Sequence, residues 1–348
     1  MARHEHLLGA LALGRYRIVQ RLARGGMGVV YLGRTEGAAG FARPVVIKTI
    51  LGDGPEAESL ENMFVREARV LSRLQHPGIV QVLDFGREDD DYLLVLEYAS
   101  GYHLGRWAAY AQRAYGRVDV DLALHVVAQV LDALHYAHTR QRPDGRSLEI
   151  VHRDVSPSNV FLDGEGRVRL LDFGIARMTG ETAAYRTDET TIKGKLAYVP
   201  PDVFEGAPPT ASADVYAAAV VLHELLLGKN DLRGRDMSDT VNRVLHRAPT
   251  RLASARGDVS LSLDALLARA LSKRPEDRFA SAAELAHALR ALRGLSETEA
   301  SAELAARVAI DFERLPAELG VESLAELDRA WREAKFDDEA GTRESSGA

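Results

Sequence analysis

Apolar and polar residues alternate over residues 16–22 and 29–34, which predicts two strands joined by a pliant turn at Arg24-Gly25-Gly26-Met27-Gly28. Residues 44–50 read as a third strand, of buried type because the apolar run is almost unbroken. From about residue 56 to 74 the period becomes helical, with Phe64, Glu67, Ala68, Leu71 and Leu74 on one face. Residues 79–85 and 92–98 return to strands. Beyond Ser100 the pattern is helical, over 104–115, over 121–138 through Leu124, Val127, Leu131, Leu134 and His135, and over an apolar stretch opening at Asp214. The change near Ala99-Ser100-Gly101 predicts two lobes, a β-rich one followed by an α-helical one, with a ligand expected in the cleft between them.

Two residues break the burial pattern. Lys48 stands in the apolar run of the third strand, and Glu67 stands on the apolar face of the helix that follows. An unpaired ammonium or carboxylate is costly in such a place, so the two are best explained by each other; the alternative is two independent side chains that snorkel to solvent. The glycines Gly25, Gly26 and Gly28 let backbone N–H groups approach anionic oxygens, although an ordinary glycine hairpin reads the same.

The densest chemistry lies between His152 and Gly174. In His152-Arg153-Asp154-Val155-Ser156-Pro157-Ser158-Asn159 a carboxylate able to accept a hydroxyl proton is followed five residues later by an amide. Asp172-Phe173-Gly174 supplies a second carboxylate thirteen residues further on. Asn159 and Asp172 are both able to hold Mg²⁺, and the set is that of phosphoryl transfer.

Composition narrows the choice. The 348 residues carry a formal charge of -7, which argues against nucleic acid or an anionic membrane as the main partner. The absence of cysteine removes disulfides, thiolate metal sites and cysteine nucleophiles, and suits a reducing compartment. Residues 1–13 are poor as a signal peptide, so a cytoplasmic protein is expected. Lysine occurs at only six positions, 48, 193, 195, 229, 273 and 335, arginine supplying nearly all the positive charge.

In the order and approximate spacing of these motifs the chain resembles the eukaryotic-type serine/threonine protein kinases of bacteria, most of all those of myxobacteria, over about residues 16–292. The resemblance implies an α+β, bilobal protein-kinase-like fold: an N-terminal extension at 1–15, a kinase domain at 16–293 with lobes at 16–99 and 100–293, and an extension at 294–348. It implies that ATP and Mg²⁺ are used and that a protein hydroxyl is phosphorylated. By it, Gly25, Gly26 and Gly28 cover the phosphates, Val30 and Val46 roof the adenine, Lys48 holds the α- and β-phosphates and Glu67 positions Lys48. Asp154 is the base, Asn159 and Asp172 hold the metal, Phe161 packs beneath the adenine and Leu96 lies at the back of the pocket. Glu97 and Ala99 offer backbone hydrogen bonds to adenine. His152 and Phe173 belong to a structural column with Leu71 and Val82. Asp214 ties down the backbone of the catalytic loop, and Arg278 pairs with the acid at the end of the activation segment, here Asp202.

Several positions depart from the family's pattern. Ala23 replaces the first loop glycine, and Val46 replaces the commoner alanine. Val199-Pro200-Pro201-Asp202 stands for an Ala-Pro-Glu ending, so the pair with Arg278 must span one methylene more and is expected to weaken. The lysine expected two residues after the catalytic aspartate is Ser156, and the threonine expected after the activation-segment glycine is Lys195. The ammonium is read as relocated, Lys195 reaching Asp154 and the γ-phosphate; the alternative is a solvent-facing Lys195 with Ser156 filling space. These departures keep a pseudokinase scaffold as the second reading of function, while tyrosine specificity is disfavoured because the loop lacks an Ala-Ala-Arg-type segment.

Arg153 beside Asp154 points to control by autophosphorylation of the activation segment, with Thr187, Thr190 and Thr191 nearest and Thr182 and Tyr185 behind them, unless these residues form only a solvated polar loop. The implied partners are a protein substrate and, for phosphorylation in trans, a transient homodimer, with no nucleic acid and no membrane. After Gly294 the chain carries 14 acidic against 6 basic residues. Leu304, Val308, Phe312 and Leu315, then Leu324, Leu327 and Trp331, predict two amphipathic helices that dock on the chain itself or take a partner. Residues 337–348 are expected to be disordered.

Overall fold

The computed structural model describes residues 7–24, 28–38, 41–50, 57–88, 91–173 and 194–319. It divides into two compact units, Met1–Ser72 with Gln81–Ser100 and Arg314–Ala348, and Arg73–Val80 with Gly101–Glu313. Gly25, Gly26 and the threonines of the activation segment lie outside the described residues, as do Leu324, Leu327 and Trp331.

The first unit is built on an antiparallel sheet. Its strands are β1 (Leu11–Ala12), β2 (Tyr16–Arg24), β3 (Gly28–Thr35), β4 (Pro44–Ile50), β5 (Val82–Glu88) and β6 (Asp91–Glu97), in the spatial order β1-β2-β3-β4-β6-β5. Period-2 alternation sends Tyr16, Ile18, Tyr31, Val45, Ile47, Leu93 and Val95 into one core. The opposite face holds Lys48, directly across from Val30 and Leu94, and Val46, across from Leu96. Gly28 is fixed by this pairing as well as by any ligand, because a Cβ there would lie 2.0 Å from the Thr49 carbonyl oxygen. Helix α1 (Ala57–Leu71) is shorter than its periodic stretch by a few residues at its C-terminal end, yet Leu74 is still buried.

The described part of the N-terminal extension packs on the first sheet. Leu7 and Ala12 join the sheet's core, β1 pairs with β2, and the Leu13 N–H donates to Glu88 at the far edge of the sheet (2.5 Å).

The predicted strand at 79–85 is divided. Ile79 bridges to Leu170, the Val80 N–H donates to the Leu170 carbonyl (3.1 Å), and only from Val82 does the chain join the first sheet. Residues 73–80 therefore belong to the second unit, where the Gln75 N–H donates to the Tyr136 hydroxyl (3.0 Å).

That second unit carries a small antiparallel sheet, β7 (Gly101–His103), β8 (Val160–Asp163) and β9 (Val168–Leu170), among helices. These are α2 (Leu104–Tyr115), α3 (Val120–His138), the one-turn α4 (Pro201–Phe204), α5 (Ala211–Leu227), α6 (Met237–His246), the one-turn α7 (Leu252–Ala255), α8 (Leu261–Ala270), α9 (Ala282–Leu292) and α10 (Glu297–Leu319). Helix α3 starts where Asp119 accepts from the Leu122 N–H, and α5 ends on Gly228 in the left-handed region. Both are apolar nearly all round, as helices buried in the middle of a unit must be. No helix among the described residues is long and apolar enough to cross a membrane.

Helix α10, as far as Glu313, belongs to this unit and packs on it. Ala300, Leu304 and Val308, four residues apart, are fully buried, and Asp311 accepts from the Trp107 indole (2.9 Å) and the Tyr115 hydroxyl (2.5 Å). A Cβ on Gly166, in the β8–β9 turn, would lie 2.6 Å from the Ala305 nitrogen, so helix and turn are in close contact. Asp311→Ala would strand the buried Trp107 N–H, and a loss of about 1–3 kcal/mol is expected for such a group. Urea denaturation checks this, and an unchanged midpoint would show that the helix end carries no stability.

Candidate active site

Strand β4 and helix α1 bring the two misplaced charges together. Lys48 Nζ lies 3.3 Å from Glu67 Oε1, with Glu67 nearly buried and Lys48 partly so. Val30, Val46 and Leu96 flank this lysine on the same face of the sheet. The Glu97 N–H donates to the Gln81 carbonyl (3.0 Å). Ala99 follows β6 and is half-buried.

In the second unit, one buried carboxylate organises the loop that carries Asp154. Asp214, in the first turn of α5 and 1% exposed, accepts from the backbone N–H groups of His152 (2.7 Å) and Arg153 (2.8 Å) and pairs with His138 Nε2 (2.7 Å). Sequence reasoning identified Asp214 but missed His138, which its pattern placed only at the end of α3. The loop so held includes Arg153 at φ 66°, and Asp172 stands at φ 40°; both conformations are sparsely populated by non-glycine residues.

His152 is fully buried and burial pushes its pKa down, so the ring is neutral. Its Nδ1 accepts from the Asp154 N–H (3.3 Å) and its Nε2 faces the Leu171 carbonyl (2.9 Å), which together assign the proton to Nε2. Its ring lies 4.5 Å from that of Phe173. The histidine thereby links the loop carrying Asp154 to the segment carrying Asp172.

Asn159 completes the link. Its Nδ2 donates to both Asp154 Oδ2 (2.8 Å) and the Asp154 carbonyl (2.8 Å), and its own carbonyl accepts from the Leu171 N–H (2.9 Å). With the amide's donors committed to Asp154, its Oδ1 is the oxygen it presents to a cation. An amide oxygen and the Asp172 carboxylate are the hard donors Mg²⁺ prefers. Among the described residues no cluster of three or more histidine or acidic side chains could hold a metal. Phe161, on β8, stands edge-on to His103 at 5.5 Å.

Lys195 enters from the activation segment. Its Nζ lies 2.5 Å from Asp154 Oδ2, the oxygen that Asn159 also holds. Ser156 is 2% exposed and its Oγ lies 3.0 Å from Ser158 Oγ. The Asp202–Arg278 pair closes at 2.5 Å despite the shorter acid. Arg278 is buried, donates also to the Ser272 (2.8 Å) and Lys273 (2.9 Å) carbonyls, and lies over the Tyr216 ring, so its guanidinium is fixed from several sides and the missing methylene is absorbed.

A β-sheet unit with a partly buried Lys–Glu pair, followed by a helical unit with this loop, defines a protein kinase domain. The chain belongs to the protein kinase family, matching the protein kinase domain over residues 16–289. It is 34% identical over 276 residues to the tyrosine-protein kinase MasK of Myxococcus xanthus, covering 79% of this chain and 42% of that protein. It is 31% identical to the serine/threonine-protein kinase PrkC of Bacillus subtilis, covering 80% of this chain and 40% of that one. The chain thus spans about two fifths of the length of these relatives. Among solved structures, the PknI kinase domain of Mycobacterium tuberculosis is similar with a TM-score of 0.60 and 30% identity, covering 82% of this chain and 98% of that one.

Proposed function

We propose that the chain is an active serine/threonine protein kinase that uses Mg-ATP. The observation that carries this reading is the state of Asp154, whose carboxylate is held by Asn159 and whose loop is pinned to Asp214. In the reaction, the substrate hydroxyl oxygen bonds to the γ-phosphorus, the bond from that phosphorus to the β–γ bridging oxygen breaks, ADP leaves, and the hydroxyl proton passes to Asp154. Lys48, oriented by Glu67, binds the α- and β-phosphates, and Gly25, Gly26 and Gly28 cover them. Val30, Val46, Leu96 and Phe161 enclose the adenine, with the Glu97 carbonyl and the Ala99 backbone as its hydrogen-bond partners. Asn159 and Asp172 would hold Mg²⁺, which when bound neutralises charge on the transferring group.

The relatives' names favour phosphoryl transfer to a protein hydroxyl, and PrkC speaks for serine and threonine. One observation supports a second reading: MasK is named a tyrosine kinase. The segment Val155-Ser156-Pro157-Ser158 favours the first. A cytoplasmic location accords with the lack of cysteine. Autophosphorylation in trans, through a transient homodimer, would fall on Thr187, Thr190 or Thr191. Incubation of the purified chain with γ-labelled ATP and Mg²⁺, then acid hydrolysis and mapping, is expected to give phosphoserine or phosphothreonine, with sites among these threonines. Phosphotyrosine alone would select the second reading, and unlabelled protein would refute both.

A further inference from the structure

The charge around Asp154 is arranged unusually for the reaction proposed above. Between Arg153 and Asn159 the catalytic loop contains no cation: its residues are Asp154, Val155, Ser156, Pro157 and Ser158. Ser156, where the resemblance leads one to expect a lysine, is buried and faces Ser158. Phosphoryl transfer depends almost wholly on positioning and on charge stabilisation, so a missing cation beside the transferred group is a serious deficit.

The ammonium of Lys195 stands 2.5 Å from the Asp154 carboxylate. Its side chain is 25% exposed and that of Asp154 12%, so the pair is neither a surface contact nor sealed from a ligand. The backbone that carries it is anchored. The Tyr198 N–H donates to the Lys195 carbonyl (3.1 Å), and the Tyr198 hydroxyl donates to Glu224 on α5 (2.5 Å), which also accepts from Asn230 (3.2 Å). Lys195 is therefore held over the catalytic aspartate by the same helix that, through Asp214, holds the catalytic loop. The chain is also sparing with lysine, having only six, which makes an ammonium at this spot harder to treat as surface filler.

We infer that Lys195 is a catalytic residue: its ammonium, delivered by the activation segment, contacts both Asp154 and the γ-phosphoryl oxygens and supplies the positive charge that the catalytic loop lacks at Ser156. The inference rests on the kinase reading. It has a regulatory corollary, because the catalytic cation is in place only when the segment around Gly194–Tyr198 is packed on α5. Ordering that segment then completes the chemistry as well as shaping the substrate site. An ammonium suits the position because it is a compact point charge able to touch two oxygens at once, whereas a guanidinium is broader and planar.

The absence of cysteine permits a direct test. In Lys195→Cys the new thiol is the only one in the chain. Alkylation with 2-bromoethylamine forms a carbon–sulfur bond, expels bromide and releases the thiol proton to buffer, leaving a side chain one sulfur different from lysine with its ammonium restored. Iodoacetamide places a neutral amide at the same sulfur. Label transfer from γ-labelled ATP, nucleotide affinity and melting temperature are measured for wild type, Lys195→Met and Lys195→Cys, the last before and after each alkylation. We expect Lys195→Met and unmodified Lys195→Cys to lose about 10²–10³-fold in kcat, the loss typical of one electrostatic donor, with nucleotide affinity within a few-fold of wild type. Aminoethylation should recover at least about tenfold of this, and the amide none. Near-normal turnover of Lys195→Met, equal recovery with both reagents, or a gain of turnover on removing the lysine would overturn the inference while leaving the kinase reading intact. A wild-type protein that transfers no label would overturn both.

Discussion

Asp154→Asn is expected to reduce phosphoryl transfer by about 10²–10⁴-fold, the contribution of a positioned general base, with little change in nucleotide affinity. The substitution keeps the volume of the side chain but removes its capacity to take a proton. It also brings an amide against the Asn159 Nδ2 and the Lys195 Nζ, two donors that now share Asp154 Oδ2. The asparagine can turn its oxygen toward them, so the loop should keep its shape and the protein its melting temperature. Steady-state turnover with a hydroxyl-bearing peptide, alongside equilibrium nucleotide binding, separates chemistry from affinity. Turnover within a few-fold of wild type would show that Asp154 does not take the proton.

The second large effect is structural and is felt at the site. Asp214→Ala removes the acceptor of two buried backbone N–H groups and the partner of His138. Each unsatisfied buried donor costs about 1–3 kcal/mol, so a loss of roughly 3–5 kcal/mol is expected, in the range seen when a buried charge loses its partner. The catalytic loop should suffer beyond this global loss. Arg153 at φ 66° is held in a costly conformation by a neighbourhood that includes the bond from its own N–H to Asp214. Without that bond the loop can relax, carrying Asp154 away from Asn159 and Lys195. Denaturant melts measure the first effect, and activity measured well below the melting temperature measures the second. A stable variant with full turnover would show that the loop is held by its other contacts.

What could be seen in the sequence was chiefly what two-residue and 3.6-residue periods expose. Lys48 and Glu67 were visible because each violates its own local pattern, and one partner explained both. The almost unbroken apolar run of β4 hid its faces, and the strand pairing is what sets Val46 and Lys48 on the same one. Long-range pairing was hidden. Nothing local marks residues 73–80 as belonging with the second unit, because the bridge from Ile79 to Leu170 is tertiary. The same holds for Leu7 and Ala12, which are apolar residues in a short run until β2 gives them a neighbour. Asp311 reads as one more acid on an acidic helix, and only the indole of Trp107, 204 residues earlier, reveals it as buried. The Asp202–Arg278 pair shows the opposite error. The lost methylene was legible, but the multiple contacts that hold Arg278 where the shorter acid can reach it were not.

We expect the catalytic loop of this chain to be competent for chemistry, beyond any capacity to bind nucleotide. The most direct test is single-turnover transfer of label from γ-labelled ATP to a protein substrate, run with nucleotide binding on the same preparations of wild type and Asp172→Ala. Wild type is expected to bind nucleotide and to transfer label in the presence of Mg²⁺ but not of EDTA, and Asp172→Ala to transfer none. Wild-type protein that binds nucleotide with Mg²⁺ and transfers no more label than Asp172→Ala would contradict this expectation.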